Sequence, residues 1–193
     1  MRKLTHADIS DLREYERERD DFRASIITIK KRRRIPIGDL MTIVFENAAT
    51  MRFQIQEMAR VERMLRDEQI AHEIETYNEL IPDDGELSGT LFIEIPDEAA
   101  LRYWLPRLTR IQDYIGIEVN GERVNARETD VERLTREEEI TSTVHYVKFA
   151  FTDEQRAAFA GGEIAIVSNH PEYQARTVFN EEQRDEMASD FGA

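Results

Sequence analysis

The chain has 193 residues, 40% of them hydrophobic and 34% charged, with a net charge of −14. It contains no cysteine, which excludes disulfides, thiolate zinc, iron–sulfur ligation and cysteine nucleophiles within the chain. So acidic a protein repels phosphate backbones, so nucleic acid is not an expected partner. No apolar run of about 18 residues occurs, and the opening MRKLTHADISDL lacks a hydrophobic signal core, so a cytoplasmic location without membrane contact is expected. Only Lys3, Lys30, Lys31 and Lys148 are lysines; salt adaptation and Arg-rich codon usage explain this equally well.

A length near 190 residues suits one domain with a real core. The expected division is a helix-rich part at 1–85, holding a central strand and a long helix, and a part at 86–193 built from two β-α-β-β units.

Thr5 and Asp8 form a cap-like pair before a short helix through Ile9 and Leu12. A second helix is expected from Asp20 and Asp21, carrying Phe22, Ile26 and Ile29 on one face. The run Lys30-Lys31-Arg32-Arg33-Arg34 then falls in its last turn, where cations complement the negative helix end. Solvated charge is the expected role, and an anionic ligand or acidic partner is the alternative. The segment at 35–39 reads as a break or tight turn.

Residues 41–45 are a continuous apolar strand, and a long helix is expected over 48–65. At about 100° per residue, Met51, Ile55, Met58 and Leu65 line its core face. Glu62 falls within that stripe and Gln54 at its edge. The opposite face carries Arg52, Gln56, Arg60 and Arg63, a polar row that either meets solvent and acidic neighbours or docks a partner. Methionines at such spacing are core filler. A carboxylate on the apolar side must be protonated, paired or coordinated. If the helix continued unbroken, Gln69 and His72 would join Glu62 and Gln54 along one wall. Carboxylate and imidazole there admit a hard or borderline metal or acid–base work. A structural hydrogen-bond network, or pairing of Glu62 with an arginine, is the plainer alternative. The spacing matches no specific metal motif, and no cofactor is evident. A further helical piece covers 67–79.

After Pro82-Asp83-Asp84-Gly85 the pattern repeats. Strand (91–95), helix (from Pro96-Asp97-Glu98), strand (114–119), Asn-Gly turn at Asn120-Gly121 and strand (123–127) form the first unit. Strand (144–151), helix (from Thr152-Asp153-Glu154), strand (164–168), turn and strand (173–179) form the second. A duplicated unit, two similar layers of one sheet, or convergent use of common parts all account for the echo. The expected fold class is α+β, with a mainly antiparallel sheet of about seven strands, packed helices and a short helical tail from Asn180.

His145 alternates with apolar neighbours, facing away from Val144 and Tyr146, as a satisfied half-buried histidine. His170 precedes Pro171 in a turn with Tyr173 nearby. Turn chemistry explains the pair, although polar loop groups at sheet ends also carry function. No serine sits in a nucleophile elbow, no Gly-rich phosphate loop is present, and the sequence assigns no catalytic residues.

FEN at 45–47, QIQEMARVERM at 54–64, TYNELIPDD at 76–84, HYVKFAFT at 145–152 and SNHPEY at 168–173 resemble a bacterial family, the domain of unknown function 3501. KKRRRIPIG at 30–38 resembles the opening of that family, so the resemblance spans nearly the whole chain. The family carries no assigned activity or catalytic residues. The resemblance implies a protein encoded beside rubrerythrin-like proteins and iron–sulfur proteins that resemble heterodisulfide reductase subunits, as members of the family tend to be. The resemblance therefore implies a supporting role in iron- or peroxide-linked redox chemistry, with such a protein as partner.

Three expectations follow. The first is a non-catalytic accessory or binding protein. The second is a metal- or small-ligand-binding enzyme using Glu62, with Glu46, Gln54, His72, His170 and Tyr173 as further ligand candidates. The third is a structural homodimer, for which an apolar face near Trp104 or Tyr114 would speak.

Overall fold

A computed structural model describes residues 1–129 and 141–191. Those residues form six α-helices and nine strands in two antiparallel sheets, an α+β fold. No helix among them is long and apolar enough to cross a membrane.

After a 3-10 turn at His6–Asp8, the first helix, α1, runs unbroken through Leu12–Arg33. The separate helices expected here are one, because Asp11 caps the first turn from outside and no glycine or proline interrupts the following 22 residues. Only Tyr15, Ile26 and Arg33 of α1 are buried. The break or tight turn expected at 35–39 is confined to Gly38 and Asp39, and the residues before it form a short strand, β1 (Arg34–Ile37), which pairs with β2 (Met41–Glu46). Gly38 turns the chain between them at φ 62°, and a Cβ there would lie 2.3 Å from the Tyr173 hydroxyl.

Next come α2 (Ala48–Val61), α3 (Asp67–Asn78), β3 (Glu86–Ile93), α4 (Glu98–Trp104), β4 (Ile115–Val119), β5 (Glu122–Asn125) and β6 (Arg127–Glu128). The chain closes with β7 (Val144–Ala150), α5 (Asp153–Ala158), β8 (Ile164–His170), β9 (Tyr173–Val178) and α6 (Glu181–Ala188). Asn120 and Gly121 both take positive φ, 50° and 87°, as the tight hairpin between β4 and β5 requires.

The strand order is β1-β2-β3-β7-β6 in one sheet and β5-β4-β8-β9 in the other. The repeated pattern of the sequence is thereby split between layers. The leading strand of each unit, β3 or β7, enters the first sheet, where the two pair with each other. The trailing hairpins enter the second sheet, joined by β4 and β8. Exchanging the units preserves the β3–β7 pair and the order of the second sheet, but not the first sheet as a whole, where β2 flanks β3 and β6 flanks β7.

The main core lies between the sheets. Ile43, Phe45, Leu87, Leu91, Val147 and Phe149 of the first meet Ile115, Ile117, Ile164 and Ile166 of the second. A smaller cluster that includes Met51, Ile55, Ile74, Tyr77, Leu80 and Ile81 is built from α2, α3 and the turn after α3, and Tyr146 of β7 packs against it. The face of the first sheet that turns from the main core is thus covered by helices, and its side chains are largely polar.

Candidate functional site

Strand alternation selects that polar face. In β2, Phe45 and Ile43 point to the main core, so Glu46 and Val44 point the other way. The register places Glu46 opposite Ser88, and Ser88 opposite Lys148. One row along, Val44 lies opposite Thr90 and Thr90 opposite Tyr146. Glu46, Ser88, Thr90 and Lys148 are all buried, as are Glu73 and Tyr77 of α3. Glu46 and Lys148 therefore sit with the Ser88 and Thr90 hydroxyls on one buried face of the sheet, where apolar side chains would be cheaper.

Glu46 is the centre of this layer, with 4% of its surface exposed. Its Oε1 accepts a hydrogen bond of 2.7 Å from the Thr90 hydroxyl, diagonally across the strands. Its Oε2 is buried and has no hydrogen-bond partner among the described residues. The backbone beneath it is held firmly. Arg33, fully buried, donates from Nε to the Phe45 carbonyl at 2.8 Å and from Nη2 to the Glu46 carbonyl at 3.2 Å. The same guanidinium pairs with Asp190 and with Glu186, tying the C-terminal helix to the end of β2. Just beyond, Asn47 caps α2 by accepting from the Thr50 amide, while the Thr50 hydroxyl accepts from the Asn47 amide. Burial pushes the Tyr146 phenol up to about 12, with charge on Tyr77 and Glu46 adding to the effect. Tyr146 therefore remains protonated at neutral pH.

Beside this layer lies a cleft of about 470 Å³, lined in part by Lys3, Asn78, Asp83, Thr129 and Lys148. Lys3 Nζ donates to the Ile81 carbonyl at 2.6 Å and lies 2.8 Å from Asp83. Lys148 Nζ lies 3.5 Å from Asp83 and 3.6 Å from Glu86. The hydrogen bond from Lys3, with the Lys148 charge behind it, holds the Asp83 carboxyl below its usual range.

Other expected site residues fall elsewhere. α2 ends at Val61, so the helix expected to reach residue 65 stops short. Glu62 is its C-cap and is exposed, not part of the apolar stripe. Arg63 follows with φ 51°, which breaks the helical phase. His72, on the separate α3, is exposed and Gln54 is half-buried, so the single wall of Gln54, Glu62, Gln69 and His72 does not form. The buried carboxylate next to the central helix is Glu46, one residue before its cap.

The polar row on α2 does not face open solvent, because α1 packs over it. Arg52 lies 3.6 Å from Glu18 and sits over the Phe22 ring at 4.9 Å. Arg60 pairs with Glu16 at 2.5 Å. Gln56 is fully buried, accepting from the Ser10 amide at 2.7 Å and donating to the Ser10 carbonyl at 3.2 Å. Arg63 alone of the row is exposed. The basic run ending α1 is likewise not wholly solvated, since Arg33 is buried.

His170 is satisfied locally. Its Nδ1 accepts from the Glu172 amide at 3.2 Å and its Nε2 lies 3.3 Å from the Thr109 carbonyl, with Tyr114 edge-on at 4.8 Å. Tyr173 is remote from Glu46: its hydroxyl donates to the Ile37 carbonyl at 2.7 Å and accepts from the Leu40 amide at 3.0 Å, pinning the β1–β2 turn. Trp104 stacks edge-on with Tyr173 at 6.2 Å. His145 is buried, with Nδ1 3.2 Å from Glu128. Sequence reasoning passed over Ser88, Thr90, Tyr146 and Lys148. Their signal is faint: polar side chains at alternate positions of strands otherwise apolar on the opposite face.

Among the described residues no group of three or more His, Cys, Asp or Glu is placed to hold a metal ion. The arrangement can instead bind through one free carboxylate oxygen, hydroxyl groups and aromatic rings.

No curated protein matches the chain by sequence. A protein of unknown function from Burkholderia pseudomallei, solved by crystallography at 1.90 Å resolution, is similar to it at 33% identity with a TM-score of 0.90. That likeness covers 98% of this chain and 99% of the other. Residues 3–191 match the family described as protein of unknown function, DUF3501, and the chain belongs to that family.

Proposed function

We propose that the protein is a non-catalytic binding protein that works beside iron- or peroxide-linked redox proteins and holds a small ligand at Glu46. The observation that carries the ligand half is the buried, unpartnered Oε2 of Glu46. Leaving such an oxygen unmet costs about 1–3 kcal/mol, more if the group is charged. A ligand that donates a hydrogen bond to it would recover that cost. The redox half rests on the resemblance to proteins encoded beside rubrerythrin-like and iron–sulfur proteins. The Arg52, Gln56 and Arg60 side chains are engaged by α1 and the Ser10 backbone, so a protein partner would dock elsewhere.

Two measurements test the halves separately. Protein isolated from its native host is denatured and the supernatant examined by mass spectrometry. A near-stoichiometric small molecule, lost in Glu46→Gln, is expected; wild-type protein that releases none refutes the ligand half. Tagged protein, captured anaerobically, is expected to retain a rubrerythrin-like or iron–sulfur protein, and a capture without either refutes the redox half.

A further inference from the structure

We propose that the end of the helical layer, where α2 turns into α3, is the contact face of a symmetric homodimer in which Leu65 of each copy fills an apolar cavity of the other. The inference is independent of the reading of Glu46.

The local backbone builds both halves of such a contact. At the end of α2 the Met64 amide donates to the Ala59 carbonyl at 2.9 Å and the Arg63 amide to the Arg60 carbonyl at 3.3 Å, with Arg63 at φ 51°. This is a Schellman closure, in which the residue after the left-handed one folds back over the last turn. Met64 is accordingly buried, whereas Val61 and Leu65 are 70% and 83% exposed. They are the two most exposed large hydrophobic side chains among the described residues. Leu65 also stands on the rim of a hole. The hole has a volume of about 220 Å³, and its walls include Ile9 and Leu12 at the start of α1, Ala59 and Met64 at the end of α2, and Ile70 of α3. Leu65 points so far into solvent that it does not fill this space itself. An apolar cavity of about 150 Å³ already accepts a benzene ring, so the larger one here accepts a leucine side chain.

Three observations favour a second copy as the occupant. First, knob and hole adjoin. A two-fold rotation about an axis beside the rim carries each Leu65 to the cavity of the other copy and closes after two copies. A knob and a hole on distant faces would build an open chain instead. Second, the rim is complementary to itself in charge. Arg63 and Arg66 stand among Glu62, Asp67 and Glu68, all of them exposed. Their ties within the chain are slight: Arg66 reaches Gln69 at 3.4 Å, Asp67 lies 3.5 Å from His6, and Glu62, Arg63 and Glu68 make no ion pair among the described residues. The rotation brings arginines of one copy to carboxylates of the other. Third, one contact covers all the apolar surface exposed here. A small apolar molecule in the cavity would leave Val61 and Leu65 in water, whereas a second copy covers cavity and knob together.

The test is sedimentation of the full chain in about 0.15 M salt, where a Debye length of about 8 Å screens the repulsion between two chains of charge −14. A reversible monomer–dimer equilibrium is expected, with a dissociation constant on the order of 1–100 μM, because the face carries few apolar anchors. Leu65→Asp should weaken association at least about tenfold, since it places a carboxylate in the apolar cavity of the other copy. Val61→Ser should weaken it by roughly three- to tenfold. Both positions are exposed in the single chain, so neither change should move the thermal midpoint of dilute protein. Tyr103→Asp, at an exposed ring beside Trp104, should leave association unchanged. A dimer that persists undiminished in Leu65→Asp, or one lost in Tyr103→Asp alone, overturns the proposal. So does a wild type that stays monomeric up to about 1 mM, whether the face proves bare, filled by a small apolar molecule or held by a different protein.

Discussion

Replacing Glu57 by glutamine is expected to destabilise the protein by about 2 kcal/mol at neutral pH and by much less in acid. Glu57 projects from α2 to α1, where Arg19 grips it with Nε at 2.8 Å from Oε1 and Nη2 at 2.9 Å from Oε2. The Tyr15 hydroxyl donates to the same Oε1 at 2.7 Å. The Arg19 bond is the largest influence; it and the Tyr15 bond outweigh burial and hold the Glu57 carboxyl down at about 2, against an ordinary 4.5. At about 1.4 kcal/mol per pH unit this difference sets a ceiling of roughly 3.5 kcal/mol. The side chain is 22% exposed, so solvent screens part of the effect. Glutamine keeps the Tyr15 bond and loses the charge. Because the folded carboxyl titrates below the unfolded one, its contribution is fully present above about pH 4.5 and fades as pH falls toward about 2. Urea unfolding of wild type and Glu57→Gln, at neutral pH and in steps down to about pH 2.5, measures that difference directly. A gap between the two proteins that is constant over this range would refute the assignment, as would no gap at neutral pH.

Further outcomes are expected from neighbouring features. Arg33→Met should cost about 3–5 kcal/mol in urea unfolding, because it strands Asp190, whose carboxyl burial already pushes upward, and frees two strand-end carbonyls. Tyr173→Phe removes the hydroxyl that joins Ile37 and Leu40 and should lower stability by about 1–3 kcal/mol, measured the same way. Glu62→Gln, at an exposed cap, should stay within about 0.5 kcal/mol of wild type, whereas Gln56→Leu should lose about 1–3 kcal/mol with its two Ser10 backbone bonds.

Much of the secondary structure was legible because its signals are local. Asn47, Asp97, Thr152 and Asn180 accept from amides of the first helical turn, as such residues do wherever they precede a helix. Asn120-Gly121 makes its hairpin for a similarly local reason. The helix of 48–65 failed at its far end, where three exposed residues and a positive φ at Arg63 leave no pattern to read. The error moved Glu62 from an exposed cap to an imagined core.

The periodicity of α2 identified Met51 and Ile55 as core, both buried, but Leu65, assigned to the same face, lies beyond the helix and is 83% exposed. It left the opposite face open between solvent, acidic neighbours and a partner, because a hydrophobic pattern records contact with apolar neighbours only; the acidic neighbours are Glu16 and Glu18. α1 covers that face through ion pairs and the Tyr15 hydroxyl, which periodicity does not register. The same reasoning explains Glu46. The sequence by itself determined that a carboxylate stands between a buried strand and a helix cap. Only the tertiary structure decided that Thr90 and Tyr146, 44 and 100 positions along the chain, would share its face, because cross-strand neighbours are chosen by register and sheet order. Whether a polar residue is buried depends on what lies over it, and the covering helices are distant in sequence from the strands they cover.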